Sequence, residues 1–138
     1  MAYFRDAQDV YDNIGRLFQE LANDEELAPK LRAADTTVQY RYHEPESQIT
    51  VRLNETDPLQ VDLGETELEP EVVLTMNADV AHRFWLGEVN ATMAIARGQI
   101  RTKGPLAKVL KLAPVVKPIS IRYRAALEAA GRADLLDV

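Results

Sequence analysis

Between Glu71 and Leu112 the chain reads EVVLTMNADVAHRFWLGEVNATMAIARGQIRTKGPLAKVLKL, a largely apolar run cut by Gly87, Gly98 and Gly104. Glycine takes the left-handed conformation that ends a helix, and proline suits the first turn of the next one. The run therefore cannot form one long helix, and it predicts three short helices and a strand. Asn77 is a good N-cap, and Val80, Ala81, Phe84 and Trp85 then fall at i, i+4 pairs on one helical face before Gly87. On that reading His82 points away from Val80 and Phe84, toward solvent. Asn90 caps a second helix that carries Met93, Ala94 and Ile95. Residues 99–103 read as a strand with Ile100 inward. Gly104-Pro105 opens a third helix in which Leu106, Val109, Leu110 and Ala113 recur at i, i+3, i+4 and i+7, with Lys108 and Lys111 on its other side.

Upstream, the period of the apolar residues sets the elements. Val10, Ile14, Leu17, Phe18 and Leu21 predict an amphipathic helix over about residues 5–22. Asn23 or Asp24 caps a second helix with Leu27 and Leu31 on one side. After Asp35 the period becomes two. Val38, Tyr40 and Tyr42 alternate with polar residues, Glu44-Pro45-Glu46-Ser47 turns the chain, and Ile49, Val51 and Leu53 alternate in return. Leu59, Val61 and Leu63 predict a third strand, residues 64–70 an acidic loop, and Val72, Leu74 and Met76 a fourth. The strand at 99–103 is the fifth, and it comes only after two helices. The expected class is α+β: a five-stranded, mainly antiparallel twisted sheet covered by helices on one face. Pro114 and Pro118 predict a stiff connector or hinge, followed by a last helix over 121–130. With no repeat and no low-complexity linker, residues 1–138 are expected to form a single domain.

Charge is distributed unevenly. Residues 1–70 carry 16 acids and 6 bases, whereas residues 71–138 carry 6 acids and 10 bases. From Arg97 to Arg124 there are eight bases and no acid. Within that block Arg97, Arg101, Lys103, Lys108 and Lys111 are candidates for transient contact with an anionic membrane or with the phosphates of an acyl-CoA, although a solvated face that balances the acidic half is the simpler explanation. Only Tyr123 gives the block an aromatic stacking partner, and the whole chain is acidic, so nucleic acid is not an expected partner. The opening MAYFRDAQDVYDNIG has no basic flank ahead of an apolar run, so a cytoplasmic location is expected.

The inventory for catalysis is thin. No cysteine is present, which removes thiolate chemistry and Cys-type zinc sites. Ser47 and Ser120 lie outside any Gly-x-Ser-x-Gly elbow. His43 and His82 read as exposed surface residues and do not form a His-x-x-x-His pair. Glu65, Glu67, Glu69 and Glu71 read as a solvated acidic loop. No catalytic residue, metal site or cofactor is therefore expected.

Trp85-Leu86-Gly87 and Gly98-Gln99-Ile100-Arg101-Thr102-Lys103-Gly104 carry a resemblance. Set in the order apolar strand, short helix, Ala- and Met-bearing turn, strand and Leu-rich helix, they resemble the lipid-binding domain of the sterol carrier protein type 2 family, in a stand-alone bacterial-type form. The resemblance is close over about half the chain, and the amino-terminal part agrees only in element order. It implies an apolar tunnel between sheet and helices for sterols, fatty acids, acyl-CoA esters or other lipids. Met76, Phe84, Trp85, Met93, Ile95, Ile100, Leu106, Val109, Leu110 and Leu112 are the candidate wall residues. Methionine's flexible thioether suits a wall that repacks around varied shapes. The expected function is non-catalytic binding or transport of a hydrophobic ligand. The alternatives are an interaction module with a filled core, or an accessory domain that presents lipid to a separate enzyme.

Overall fold

A computed structural model describes residues 2–138. The amino-terminal helix is built from α1 (Ala7–Val10), a π-helical segment (Tyr11–Gly15) and α2 (Arg16–Ala22). It starts two residues later than its periodicity suggests, because the Asp6 carboxylate accepts from the Asp9 amide and caps it there. Asp24 caps the following α3 (Leu27–Arg32), accepting from the amides of Glu26 and Leu27.

Strands β1 (Thr36–His43), β2 (Ser47–Leu53) and β3 (Gln60–Leu63) form an antiparallel meander. The 64–71 segment then crosses over, and β4 (Val72–Asn77) pairs with β1 in parallel. After α4 (Ala78–Trp85) and α5 (Ala91–Ala96), β5 (Ile100–Lys103) returns antiparallel to β4. The five-stranded sheet has the order β3-β2-β1-β4-β5. The α+β class and five strands agree with expectation, and the β1–β4 pair makes the sheet mixed.

Period-two alternation sorts the two faces. One carries rows in register across the strands: Val61, Val51, Val38 and Val72, then Leu63, Ile49, Tyr40 and Leu74, then Tyr42, Met76 and Ile100. The opposite face carries Gln39, Arg41, Thr50, Arg52, Asp62, Thr75, Arg101 and Lys103. There Gln39 is satisfied by Thr50 at 3.0 Å and by Arg41 at 2.6 Å. Helices are needed on the apolar face only.

The carboxy-terminal elements are α6 (Leu106–Leu110), a 3₁₀ turn (Ala113–Val115), α7 (Val116–Ala129) and a second 3₁₀ turn (Ala133–Leu135). The expected hinge at Pro114 to Pro118 is helical instead, and α7 starts five residues earlier than its pattern predicts. Pro118 sits in the first turn, where the missing N–H has no intrahelical partner to lose. Ile119, Tyr123 and Leu127 bury the helix against the core. Gly104 is fixed by its surroundings: at φ +98° a Cβ there would collide with the Glu71 carbonyl oxygen. That contact lets β5 leave the sheet directly beside the start of β4.

Candidate functional site

The helical layer does not fill the space above the sheet. Next to β4 and β5 it leaves a cavity of about 510 Å³. Tyr40, Leu74, Met76 and Ile100 make the floor, Phe84 and Trp85 of α4 one wall, and Leu106, Val109 and Leu110 of α6 another. Ile95, Val89, Leu112 and Val116 complete the apolar lining, and Glu88, Asn90 and Thr92 lie on one rim. The volume falls within the ~300–1,000 Å³ usual for small-molecule sites. Size alone does not distinguish it, since depressions of about 480 and 500 Å³ occur elsewhere. Those are bounded by polar groups such as Arg41, His43, Glu46 and Gln48, or Gln60, Asp62, Glu65 and Glu67. Among the described residues, only the cavity over β4 and β5 combines such volume with walls of large apolar side chains.

Local sequence explains why the cavity stays unfilled. The Asn77 side chain accepts from the Asp79 amide, and the Asn90 side chain from the Met93 amide, so α4 and α5 each begin at a fixed point. Gly87, at φ +87°, ends α4 after two turns, too soon for it to reach across the sheet. The helix α6 has five residues and none of them is buried. Its position is held from outside by Lys108, whose ammonium bonds both carboxylate oxygens of Glu71 at 2.9 and 3.2 Å. The Thr36 hydroxyl, and then Lys108, hold the Glu71 carboxyl below its ordinary pKa.

Nine of the ten residues singled out from sequence line this one cavity: Met76, Phe84, Trp85, Ile95, Ile100, Leu106, Val109, Leu110 and Leu112. Met93 does not. It is half exposed on the outer side of α5, where Ala94 takes the buried position. The floor residues Tyr40 and Leu74 were absent from that set. Their alternation showed that they face inward, but their place under the cavity depends on the parallel pairing of Tyr40 with Leu74, which no local pattern encodes. Val116 was missed because it lies in the expected hinge.

The largest departure from expectation is His82. It is fully buried, with Tyr123 Oη 2.7 Å from Nδ1 and the Leu135 carbonyl 2.8 Å from Nε2. A carbonyl only accepts, so Nε2 carries the proton and Nδ1 accepts from the tyrosine hydroxyl. Tyr3, Phe4 and Tyr123 surround the ring edge-on at 5.3 to 5.5 Å. Burial holds the His82 pKa below its ordinary value. Both nitrogens are engaged in structure. Helical periodicity misplaces His82 because the elements that bury it, namely the first residues of the chain and the carboxy-terminal turn, are distant in sequence. His43 is exposed, as expected, and sits 3.1 Å from Glu46.

The remaining polar candidates are also engaged. Ser47 donates to the Pro45 carbonyl and Ser120 to that of Val116. Among the described residues no group of three or more His, Cys, Asp or Glu is placed to hold a metal ion. Part of the basic block is engaged, Arg122 by Asp24 at 2.7 Å and Arg124 by Glu88 and by a hydrogen bond to the Leu86 carbonyl. No helix among the described residues is long and apolar enough to cross a membrane.

A mixed sheet with helices on one face and an apolar cavity between them defines a small α+β domain with a ligand-sized hollow. Comparison with known proteins places it further: residues 14–117 match the model of the SCP-2 sterol transfer family, and the chain belongs to that family. Lipid binding or transfer is the role associated with the family as a whole. Similar solved structures include the sterol carrier protein domain 2 of Helicoverpa armigera, at 16% identity and TM-score 0.63 over 80% of this chain and 87% of that one. A conserved hypothetical protein of Thermus thermophilus aligns at 12% identity and TM-score 0.65 over 91% and 92%. Palmitated SCP2L2 from Aedes aegypti aligns at 22% identity and TM-score 0.57 over 78% and 93%. At these identities the likeness concerns the fold. A comparison with curated proteins gave no match.

Proposed function

We propose that the cavity between α4, α6 and the sheet binds one hydrophobic ligand and that the protein carries or presents it without a chemical step of its own. The supporting observation is the lining: about 510 Å³ bounded by fourteen apolar side chains besides Tyr40, with Glu88 as the only charged residue. Each buried ligand methylene gains about 0.8 kcal/mol, so ten offer roughly 8 kcal/mol before ordering costs. Apolar burial alone thus supports affinity of about micromolar. A filled-core interaction module fits less well, because the space above Tyr40 and Met76 is not filled by side chains.

Membrane or phosphate contact through the basic block is a finer proposal. Lys108 is committed to Glu71, so Arg97, Arg101, Lys103 and Lys111 would carry it. Presentation of lipid to a separate enzyme is a second reading. It is supported by the secondary alkylsulfatase Pisa1 from Pseudomonas sp., in which the similar region is 13% of the chain, at 16% identity and TM-score 0.51 over 59% of this chain.

Native mass spectrometry of freshly purified protein tests the proposal. The expected result is a ligand-bearing species that collapses to the apo mass after solvent extraction and returns when a long-chain lipid is added. Apo mass throughout, with no saturable uptake of alkyl-chain probes, contradicts it.

A further inference from the structure

The cavity floor contains one polar group that the protein itself does not satisfy. Tyr40 lies on the central strand β1 and is 7% exposed, its ring held by Phe18 at 5.2 Å and Trp85 at 6.3 Å. The hydroxyl makes no hydrogen bond among the described residues. Burial alone raises its pKa, so it stays a neutral O–H. Nor is it sealed in the core: the unpartnered, fully enclosed hydroxyl is that of Tyr42, and Tyr40 Oη is not enclosed in that way. Tyr40 borders two spaces, this cavity and a void of about 30 Å³ among Phe18, Leu31 and Ile119, and only the larger has room to bring a ligand group to it. The other polar residues of the lining, Glu88, Asn90 and Thr92, all come from the loop and helix start after Gly87. The lining holds no Lys, Arg or His.

This arrangement treats ligand head groups unequally. An uncharged hydroxyl or carbonyl that reaches the floor gains the one bond Tyr40 offers and removes an unmet donor. A carboxylate taken to the same depth loses its hydration and meets no cation, which is strongly unfavourable. Resting on the lipid-binding reading above, we propose that Tyr40 is the specificity-determining residue of the cavity. It selects uncharged amphiphiles that enter head first with a hydroxyl or carbonyl, whereas anionic lipids enter tail first and leave the carboxylate at the rim.

Displacement of the neutral dye Nile red provides the test, with dodecan-1-ol, methyl dodecanoate, 1-chlorododecane and dodecanoate at pH 7.5 as competitors. The substitution Tyr40→Phe keeps the ring, and circular dichroism checks the fold. The expected result is a crossover: the variant binds the alcohol and the ester about 5- to 10-fold more weakly. The chloride, which cannot use the hydroxyl, binds equally or better, and dodecanoate is unchanged. In the wild type, the alcohol should exceed the chloride once each affinity is corrected for oil–water partition. Equal effects of Tyr40→Phe on all four probes, or no wild-type preference after that correction, overturns the assignment while leaving lipid binding intact. Failure of every probe and of the dye to bind overturns both. If the variant does not fold, the wild-type comparison of alcohol with chloride decides alone.

Discussion

The two ends of the helical layer obey opposite rules. Where α1, α2 and α7 meet the sheet, Val10, Ile14, Leu17 and Tyr123 have no exposed surface, and buried polar groups such as Asp9, Asn13 and His82 are paired. Asp9 illustrates this: it is 3% exposed and accepts from the Arg5 amide, Asn13 and Arg132, the last at 2.6 Å. Burial pushes its carboxyl up, but Arg132 and the Arg5 amide together hold it below its ordinary pKa. Around α5 and α6, by contrast, apolar side chains are equally common, yet Ala94 is the one buried residue of either helix. Apolar residues at one end are used for packing. At the other they are left short of partners, which is the composition of a binding wall.

The largest expected difference is in stability. Ile14→Ala removes a fully buried side chain and should cost about 2–5 kcal/mol, whereas Leu106→Ala on α6 should cost about 1 kcal/mol or less. Urea denaturation of both variants measures the gap, and similar losses would mean that the α6 end is core as well. Next in size is Arg132→Ala, which strands Asp9. A cost of about 1–2 kcal/mol is expected, discounted because Arg132 is itself partly exposed and Asp9 keeps its other donors. Asp9→Asn in the same background should recover part of the loss.

At the open end the effects should fall on the ligand. Leu110→Glu changes a half-exposed residue and should alter stability by under about 0.5 kcal/mol. It should nevertheless weaken a hydrophobic ligand by about tenfold or more, because a carboxylate then projects from the cavity wall. Lys111→Glu, at the exposed end of α6 and outside the lining, should weaken it less, and the reverse order would relocate binding to the surface.

The smallest effect is on pH dependence. Burial lowers the His82 pKa in the fold, so the unfolded chain takes up the proton first. Stability is therefore complete above about pH 6.5 and declines as the pH falls from there toward the folded pKa. Thermal unfolding between pH 7.5 and 5 should show this decline in the wild type and a flatter profile in His82→Gln. No difference between the two profiles would remove His82 from the sealed end.

Legibility in the sequence follows the same division. Strands and short helices were readable because alternation, Asn caps and glycine stops are local, as at Val38 to Tyr42, Asn77 and Gly87. The cavity walls were readable in large part, since α4, the α5 turn and α6 are consecutive in sequence and share one greasy face. What could not be read came from contacts between distant segments. The floor needs the parallel pairing of β1 with β4, and the burial of His82 needs Tyr123 and Leu135, 41 and 53 residues away. Met93 lies on the outer side of α5, and Ala94 takes the buried position.

Contact quenching of Trp85 tests the central claim most directly, because this only tryptophan lies in the cavity wall. Bromine quenches indole fluorescence only at close range, so 9,10-dibromostearate reports a chain within the cavity. The account predicts saturable quenching at one equivalent, reversed by unbrominated stearate and shifted to about tenfold or more higher lipid concentration by Leu110→Glu. Emission that is unchanged, or that falls only where the lipid aggregates, would contradict the assignment of this cavity as the binding site.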